Sequence, residues 1–168
     1  MMTRRNFGLG AVGAAAAGLG LNRLFGGEAS EAKEAKAFPV NLSDDEWKKR
    51  LSKEQYHVLR EHGTERAGTS PLNQEKRKGT FVCAACEQPV FTAEAKFESG
   101  TGWPSFYAPI EGGVATSQDN TLFMSRTEVH CARCGGHLGH VFEDGPKPTG
   151  LRYCMNGVAM KFKPAQAA

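Results

Sequence analysis

Between residues 43 and 62, apolar side chains return at helical spacing. Trp47 and Leu51 stand four apart, and Tyr56 and Leu59 stand three apart. Each pair follows a serine with Glu or Gln three residues later: Ser43 with Glu46, and Ser52 with Gln55. That spacing is the capping-box signature, in which the serine and the third residue satisfy each other's backbone amides. It predicts two short helices, the second stopping at Gly63. Trp47 and Tyr56 are then core anchors. Past Gly63 the pattern shortens. β-Branched and aromatic residues gather in Phe81–Ala84, Gln88–Phe91, Thr121–Val129, His140–Phe142 and Leu151–Phe162, with Gly, Pro, Asn and Asp between them. This predicts a small, mainly antiparallel β domain with helices confined to its N-terminal side.

Residues 1–37 are of another kind. Thr3-Arg4-Arg5-Asn6-Phe7 leads into a Gly-, Ala-, Leu- and Val-rich run ending at Leu21. A basic start followed by a short apolar run resembles a twin-arginine export signal. The run is short of the roughly 20 residues that a membrane-spanning helix needs, so no stable span is expected after processing. Residues 26–37, GGEASEAKEAKA, resemble a solvated linker, with cleavage positions after Ala29 or Ala37. The expected organisation is an export signal and linker at 1–37 and one domain at 38–168. The expected location is the periplasm or another exported compartment. If these residues are instead an amphipathic or disordered tail, the location is the cytoplasm. With no cysteine in this region, an anchor through a lipidated cysteine is excluded.

The formal net charge of +3 narrows the partners. Removing residues 1–37 leaves 16 basic and 15 acidic side chains. That balance excludes the basic excess of a nucleic-acid binder. A content of 40% hydrophobic and 23% charged residues in 168 is that of one ordinary globular domain.

Four of the five cysteines form two Cys-x-x-Cys units, Cys83/Cys86 and Cys131/Cys134. Two residues between thiols let each loop place both sulfurs on one ion, and two such loops complete a tetrahedral thiolate shell. The expectation is one structural zinc per chain. The 44 residues between Cys86 and Cys131 exceed the 15–20 of a simple zinc ribbon, so the fold must bring distant hairpins together. Disulfide-closed loops and a thioredoxin-type redox pair are the alternatives; no βαβ pattern surrounds either unit. In an exported chain, oxidation competes with metal binding, a conflict removed if the protein loads metal and folds before export.

The fifth thiol, Cys154, lies in Leu151-Arg152-Tyr153-Cys154-Met155-Asn156. In a strand, Leu151, Tyr153 and Met155 share the core face, and Arg152, Cys154 and Asn156 share the other. A neighbouring cation favours the thiolate, the nucleophilic form of cysteine. The bland alternative is a buried cysteine acting as a small hydrophobe. His137 and His140 flank Leu138-Gly139, three residues apart. A regular strand would point them to opposite faces, but a bend at Gly139 could reunite them. Free of metal, they are proton donors suited to neutral pH. The loop Ser99-Gly100-Thr101-Gly102-Trp103-Pro104-Ser105-Phe106 offers Trp103 either to the core or as an apolar wall for a small substrate group.

Taken in order, Glu54-Gln55-Tyr56, Gly63-Thr64-Glu65, Leu72-Asn73, Cys83-x-x-Cys86, SGTGWPSF, Cys131-x-x-Cys134, GGHLGHVFEDGPKPTG and RYCMN resemble the methionine-R-sulfoxide reductases of the B type over residues 41–163. The resemblance implies two antiparallel sheets meeting at an angle and a zinc held by Cys83, Cys86, Cys131 and Cys134. It implies that Cys154 attacks the sulfoxide sulfur and becomes a sulfenic acid, while His137 and His140 supply the proton. Trp103 would hold the substrate's ε-methyl group, and Asn156, Arg152 and Asp144 would order the network around the thiolate. Substrates would be oxidised proteins bearing methionine R-sulfoxide, and the protein a monomer. Two positions depart from the pattern. Many members carry a resolving cysteine where Thr101 stands, so here an external thiol, thioredoxin-like or small, must reduce the sulfenic acid. Gly157 replaces a serine common in the family. Two competing readings are a zinc-clamped binding module, which needs neither Cys154 nor the histidines, and a metal-dependent hydrolase using His137 and His140.

Overall fold

A computed structural model describes residues 38–121 and 125–166. The export signal expected in residues 1–37 lies outside the described residues. Helices α1 (Asp44–Arg50) and α2 (Lys53–Glu61) each start on the expected capping box, with both reciprocal hydrogen bonds present at Ser43/Glu46 and Ser52/Gln55. The stop of α2 differs by one residue: His62, not Gly63, is the left-handed cap, at φ 56°. None of the described helices is long and apolar enough to cross a membrane.

The strands are β1 (Gly79–Cys83), β2 (Pro89–Thr92), β3 (Lys96–Phe97), β4 (Ser105–Phe106), β5 (Val114–Asp119), β6 (Arg126–Cys131), β7 (His137–Phe142), β8 (Arg152–Met155) and β9 (Met160–Pro164). They form two antiparallel sheets, one of order β2-β1-β9 and one of order β3-β4-β8-β7-β6-β5. The mainly β, two-sheet architecture expected from the sequence is the one observed.

Three expectations are corrected. The strand expected at Thr121–Val129 begins only at Arg126, and residues 122–124 fall outside the described residues. Its partner β5, Val114–Asp119, is largely exposed and polar, so hydrophobic patterning gave no sign of it. The continuous strand expected at Leu151–Phe162 is two strands in different sheets, separated by a 3-10 turn at Gly157–Ala159. That turn carries the chain from the large sheet to the small one.

Aromatic side chains join the sheets. Phe106 of β4 stacks on Phe91 of β2 at 4.3 Å between ring centroids and meets Phe81 of β1 edge-on at 4.9 Å. All three are fully buried, and each burial contributes about 2–3 kcal/mol. Trp47 and Leu59 seat the helices on the same core, and the Arg60 guanidinium lies over the Trp47 ring. Tyr56 is only half-buried and packs against the margin.

Candidate active site and metal centre

The two Cys-x-x-Cys units occupy the β1–β2 and β6–β7 turns, and their backbones repeat one design. Glu87 N–H donates to the Cys83 carbonyl, and Gly135 N–H donates to the Cys131 carbonyl. Cys83 N–H donates to Gln88, and Cys131 N–H to Gly136. Each turn has its fifth residue left-handed, Glu87 at φ 62° and Gly135 at φ 67°. The four sulfurs lie within 4.8 Å of one another, with Cys83–Cys134 at 3.8 Å and Cys86–Cys131 at 3.5 Å. Four thiolates at 2.3 Å from one tetrahedral ion would be separated by about 3.8 Å. The four thiols are therefore already spaced to hold a metal ion. Because one turn belongs to each sheet, an ion here staples the sheets together.

Cys154 stands apart from that cluster, half-buried in β8. β8 lies between β4 and β7, so register fixes the neighbours on each side. Ser105 is opposite Cys154 across β4, and His140 is opposite it across β7. Residues directly opposite in antiparallel strands share a face. Arg152 shares this face with Phe142, its guanidinium 4.4 Å over the ring. Arg152 also forks onto Asp144 through two bonds of 2.8 Å. That pairing raises the guanidinium pKa against the opposing cost of burial, and the nearby Cys154 adds to the rise.

The two histidines do converge, through a bulge. His130 pairs with His137 but Val129 pairs with Gly139, so Leu138 is an extra residue in β7. The extra residue turns a three-residue offset into a two-residue one, which places His137 and His140 on one face. Their ring centroids are 5.3 Å apart. Gly139 is required by close approach: a Cβ there would collide with the Cys154 carbonyl oxygen.

Each imidazole is held by a carboxylate. His137 Nδ1 lies 2.7 Å from Glu128 Oε1, and His140 Nε2 lies 2.8 Å from Asp119 Oδ2. Glu128 also takes the Ser117 hydroxyl at 2.6 Å and His62 Nδ1 at 3.0 Å. Burial raises the Glu128 pKa, but the bonds from His137, His62 and Ser117 outweigh it, leaving the carboxyl well below its usual range. Hydrogen bonds from Thr121, then His140, hold Asp119 well below its usual range too. Burial lowers the His140 pKa, and its bond to Asp119 opposes that shift. A cavity of about 460 Å³ opens over this side, lined by His62, Asp119, Arg126, Glu128, His137 and His140.

On the opposite flank, a chain of hydroxyls reaches the thiol. Ser105 Oγ is 2.7 Å from Ser99 Oγ, which is 2.8 Å from Thr101 Oγ1, which is 3.8 Å from Cys154 Sγ. Trp103 adjoins this flank, its Nε1–H donating to the Glu65 carbonyl at 2.9 Å. Asn156 lies elsewhere than expected. It is past the end of β8 and 4% exposed; its side chain accepts from Glu65 N–H and donates to the Leu138 carbonyl. It therefore ties the loop after α2 to the β7 bulge rather than bonding a histidine or the thiol. The hydrolase reading would use His137 and His140 together, but His137 bonds Glu128 while His140 bonds Asp119, and the close ligand atoms are those of His62, Glu128 and His137, without His140.

Sequence reasoning missed Glu128, Asp119, His62, Ser99 and Ser105. Glu128 alternates with His130 on β6 and could have been found as an acid in a strand. Asp119 lay in a strand with no apolar signal, and His62 was hidden as a helix end.

Residues 51–164 match the SelR domain. The peptide methionine sulfoxide reductase MsrB of Agrobacterium fabrum is 56% identical over 126 residues, covering 74% of this chain and 93% of that protein. The protein of the same name from Methanosarcina barkeri is 58% identical over 125 residues, covering 74% and 88%. A chloroplastic relative from Oryza sativa, peptide methionine sulfoxide reductase B1, is 50% identical over 130 residues, covering 77% and 61%. The chain belongs to the SelR-domain family of MsrB reductases.

Proposed function

We propose that this chain reduces the R epimer of methionine sulfoxide, mainly within oxidised proteins, and so repairs them. The observation that carries the reading is the single thiol of Cys154, outside the four-thiol cluster and flanked by His140, Arg152 and Thr101. The Cys154 thiolate attacks the sulfoxide sulfur, and His137 or His140 delivers a proton to the sulfoxide oxygen. That oxygen ends on Cys154 as a sulfenic acid and methionine leaves. The cysteine sulfur loses two electrons and the substrate sulfur gains them. Glu128 and Asp119 orient the two rings so that each presents one nitrogen to substrate. Trp103 walls the substrate methyl group, and Arg152 with Asp144 fixes positive charge beside the thiolate. Asn156 holds the loop and the bulge that aim these groups.

Zinc is the ion that the four buried thiolates suit. Bound by Cys83, Cys86, Cys131 and Cys134, it supplies structure and takes no part in the reaction. Thr101 lies nearest the thiol on the loop side, where a cysteine could close a disulfide. With threonine there, two external thiols must return Cys154 to its reduced state, yielding one disulfide and one water. The reductant is thioredoxin-like or a small thiol. The Arg4-Arg5 leader with its short apolar run favours action outside the cytoplasm, and a single chain carries every group named.

The separated R and S epimers test this reading. Turnover of R with none of S is the expected result; reduction of S alone, or of neither, overturns it. After one turnover without reductant, a sulfenic acid trap should label Cys154. A stoichiometric internal disulfide would overturn the assignment of the other four cysteines to metal.

A further inference from the structure

His62, Glu128 and His137 form a group that the reduction chemistry does not use as a unit. The three contribute ligand atoms, each within 4.8 Å of the others. His62 Nδ1 and His137 Nδ1 both bond Glu128 Oε1, at 3.0 and 2.7 Å. Ligand atoms 2.0–2.1 Å from one ion are about 2.9 Å apart across the edge of an octahedron and about 3.3 Å apart in a tetrahedron. The two observed separations lie within about 0.2 Å of the octahedral edge and fall short of the tetrahedral one. Glu128 Oε2 is occupied by the Ser117 hydroxyl, which fixes the carboxylate and leaves Oε1 facing the imidazoles. Such outer hydrogen bonds set ligand orientation in metal sites. His137 is 2% exposed and Glu128 8%, so two ligands are built into the sheet. His62 closes over them from the left-handed cap of α2, its side chain 64% exposed. The rest of the coordination sphere faces the cavity of about 460 Å³, which has room for water.

From this arrangement we infer a second, reversible metal site, in which His62, Glu128 and His137 hold a divalent first-row transition ion and thereby withdraw His137 from proton delivery. Two imidazoles and one carboxylate suit zinc, cobalt, nickel or copper better than magnesium or calcium. Ligation needs Nδ1 of each ring bare. A doubly protonated ring releases one proton, and a neutral ring carries its proton on Nε2. The ion thus replaces the two bonds to Glu128. The binding stands independently of the reductase reading; the inhibition rests on it.

Chain already carrying one zinc per four-cysteine site, in thiol-free buffer, is titrated with Co²⁺ by calorimetry and visible absorption. One further equivalent is expected, without the intense thiolate band of a sulfur site. His62→Ala should weaken it at least 10-fold while leaving zinc content unchanged; because His62 bonds Glu128 beside His137, the variant's own metal-free rate is the reference for its response to Co²⁺. Glu128→Gln should weaken it as well. The single-turnover rate on methionine R-sulfoxide should fall as the site fills, recover on chelation of the added ion, and resist Co²⁺ in His62→Ala. No second equivalent, or equal affinity in His62→Ala, overturns the site. A His62-dependent equivalent that leaves the rate untouched upholds the site and overturns the inhibition. An inactive metal-free enzyme would count against the reductase reading alone.

Discussion

The four-thiol corner and the lone thiol of β8 use one kind of atom in opposite settings. Cys83, Cys86, Cys131 and Cys134 sit at hairpin turns, where curled backbones converge like groups on one point. Cys154 sits inside a sheet, where register surrounds it with unlike groups: a serine on one side and a histidine on the other. Convergence makes a metal ligand set. Separation from other thiols leaves a sulfur free to react. The two places are joined through β6 and β7, whose turn holds two thiols and whose strands hold Glu128, His137 and His140. An ion held at the turn would thus steady the histidine face beyond it.

The largest way to break this contrast is to remove a sulfur from the corner. Structural zinc sites contribute on the order of 10 kcal/mol, comparable with the whole stability of a domain, about 5–15 kcal/mol. Cys131→Ser should therefore abolish metal content and the cooperative melting transition together, as read by elemental analysis and calorimetry. Second, Cys154→Ser should leave metal content and melting temperature unchanged while lowering turnover by about 10³-fold or more, the scale of losing a nucleophile. Equal turnover would erase the distinction between the two classes of thiol.

Smaller effects sharpen the comparison. Gly139→Ala drives a methyl into the β8 backbone at Cys154, and overpacking of this kind costs about 1–3 kcal/mol. Its urea midpoint should fall and its activity should fall with it, because the moved backbone carries the proposed nucleophile. The mildest change is Asp119→Asn. The Asp119 carboxyl is held below its usual pKa by Thr121 and His140. Its contribution to stability is full above the ordinary carboxylate pKa of about 3.9 and fades as pH falls through the lower folded value. Asparagine should flatten that acid limb of stability. The carboxylate also supports the protonated form of His140 against burial. Without it the His140 pKa falls further, so the alkaline limb of kcat/KM should move to lower pH.

Much of the scaffold was legible along the chain. Ser43/Glu46 and Ser52/Gln55 announced their helices because capping is a contact between residues three apart. The Cys-x-x-Cys units announced a metal site for the same reason. Local spacing failed where the fold answers to distant partners. Strand β5 has an exposed polar pattern, and the break at Gly157–Ala159 serves a change of sheet. Leu138 became an extra residue only because β6 pairs around it.

The sequence by itself determined which residues could do chemistry: four paired thiols, one single thiol, two histidines and an indole. Those are properties of residue type and short spacing. Only the tertiary structure decided that Glu128 and Asp119 govern the histidines, that His62 joins them, and that Asn156 braces a loop instead of touching sulfur. The physical reason is range. Capping and chelating motifs close within a few residues, whereas strand register joins residues distant in sequence and assigns each side chain a face through the accumulated pairing of every strand between them.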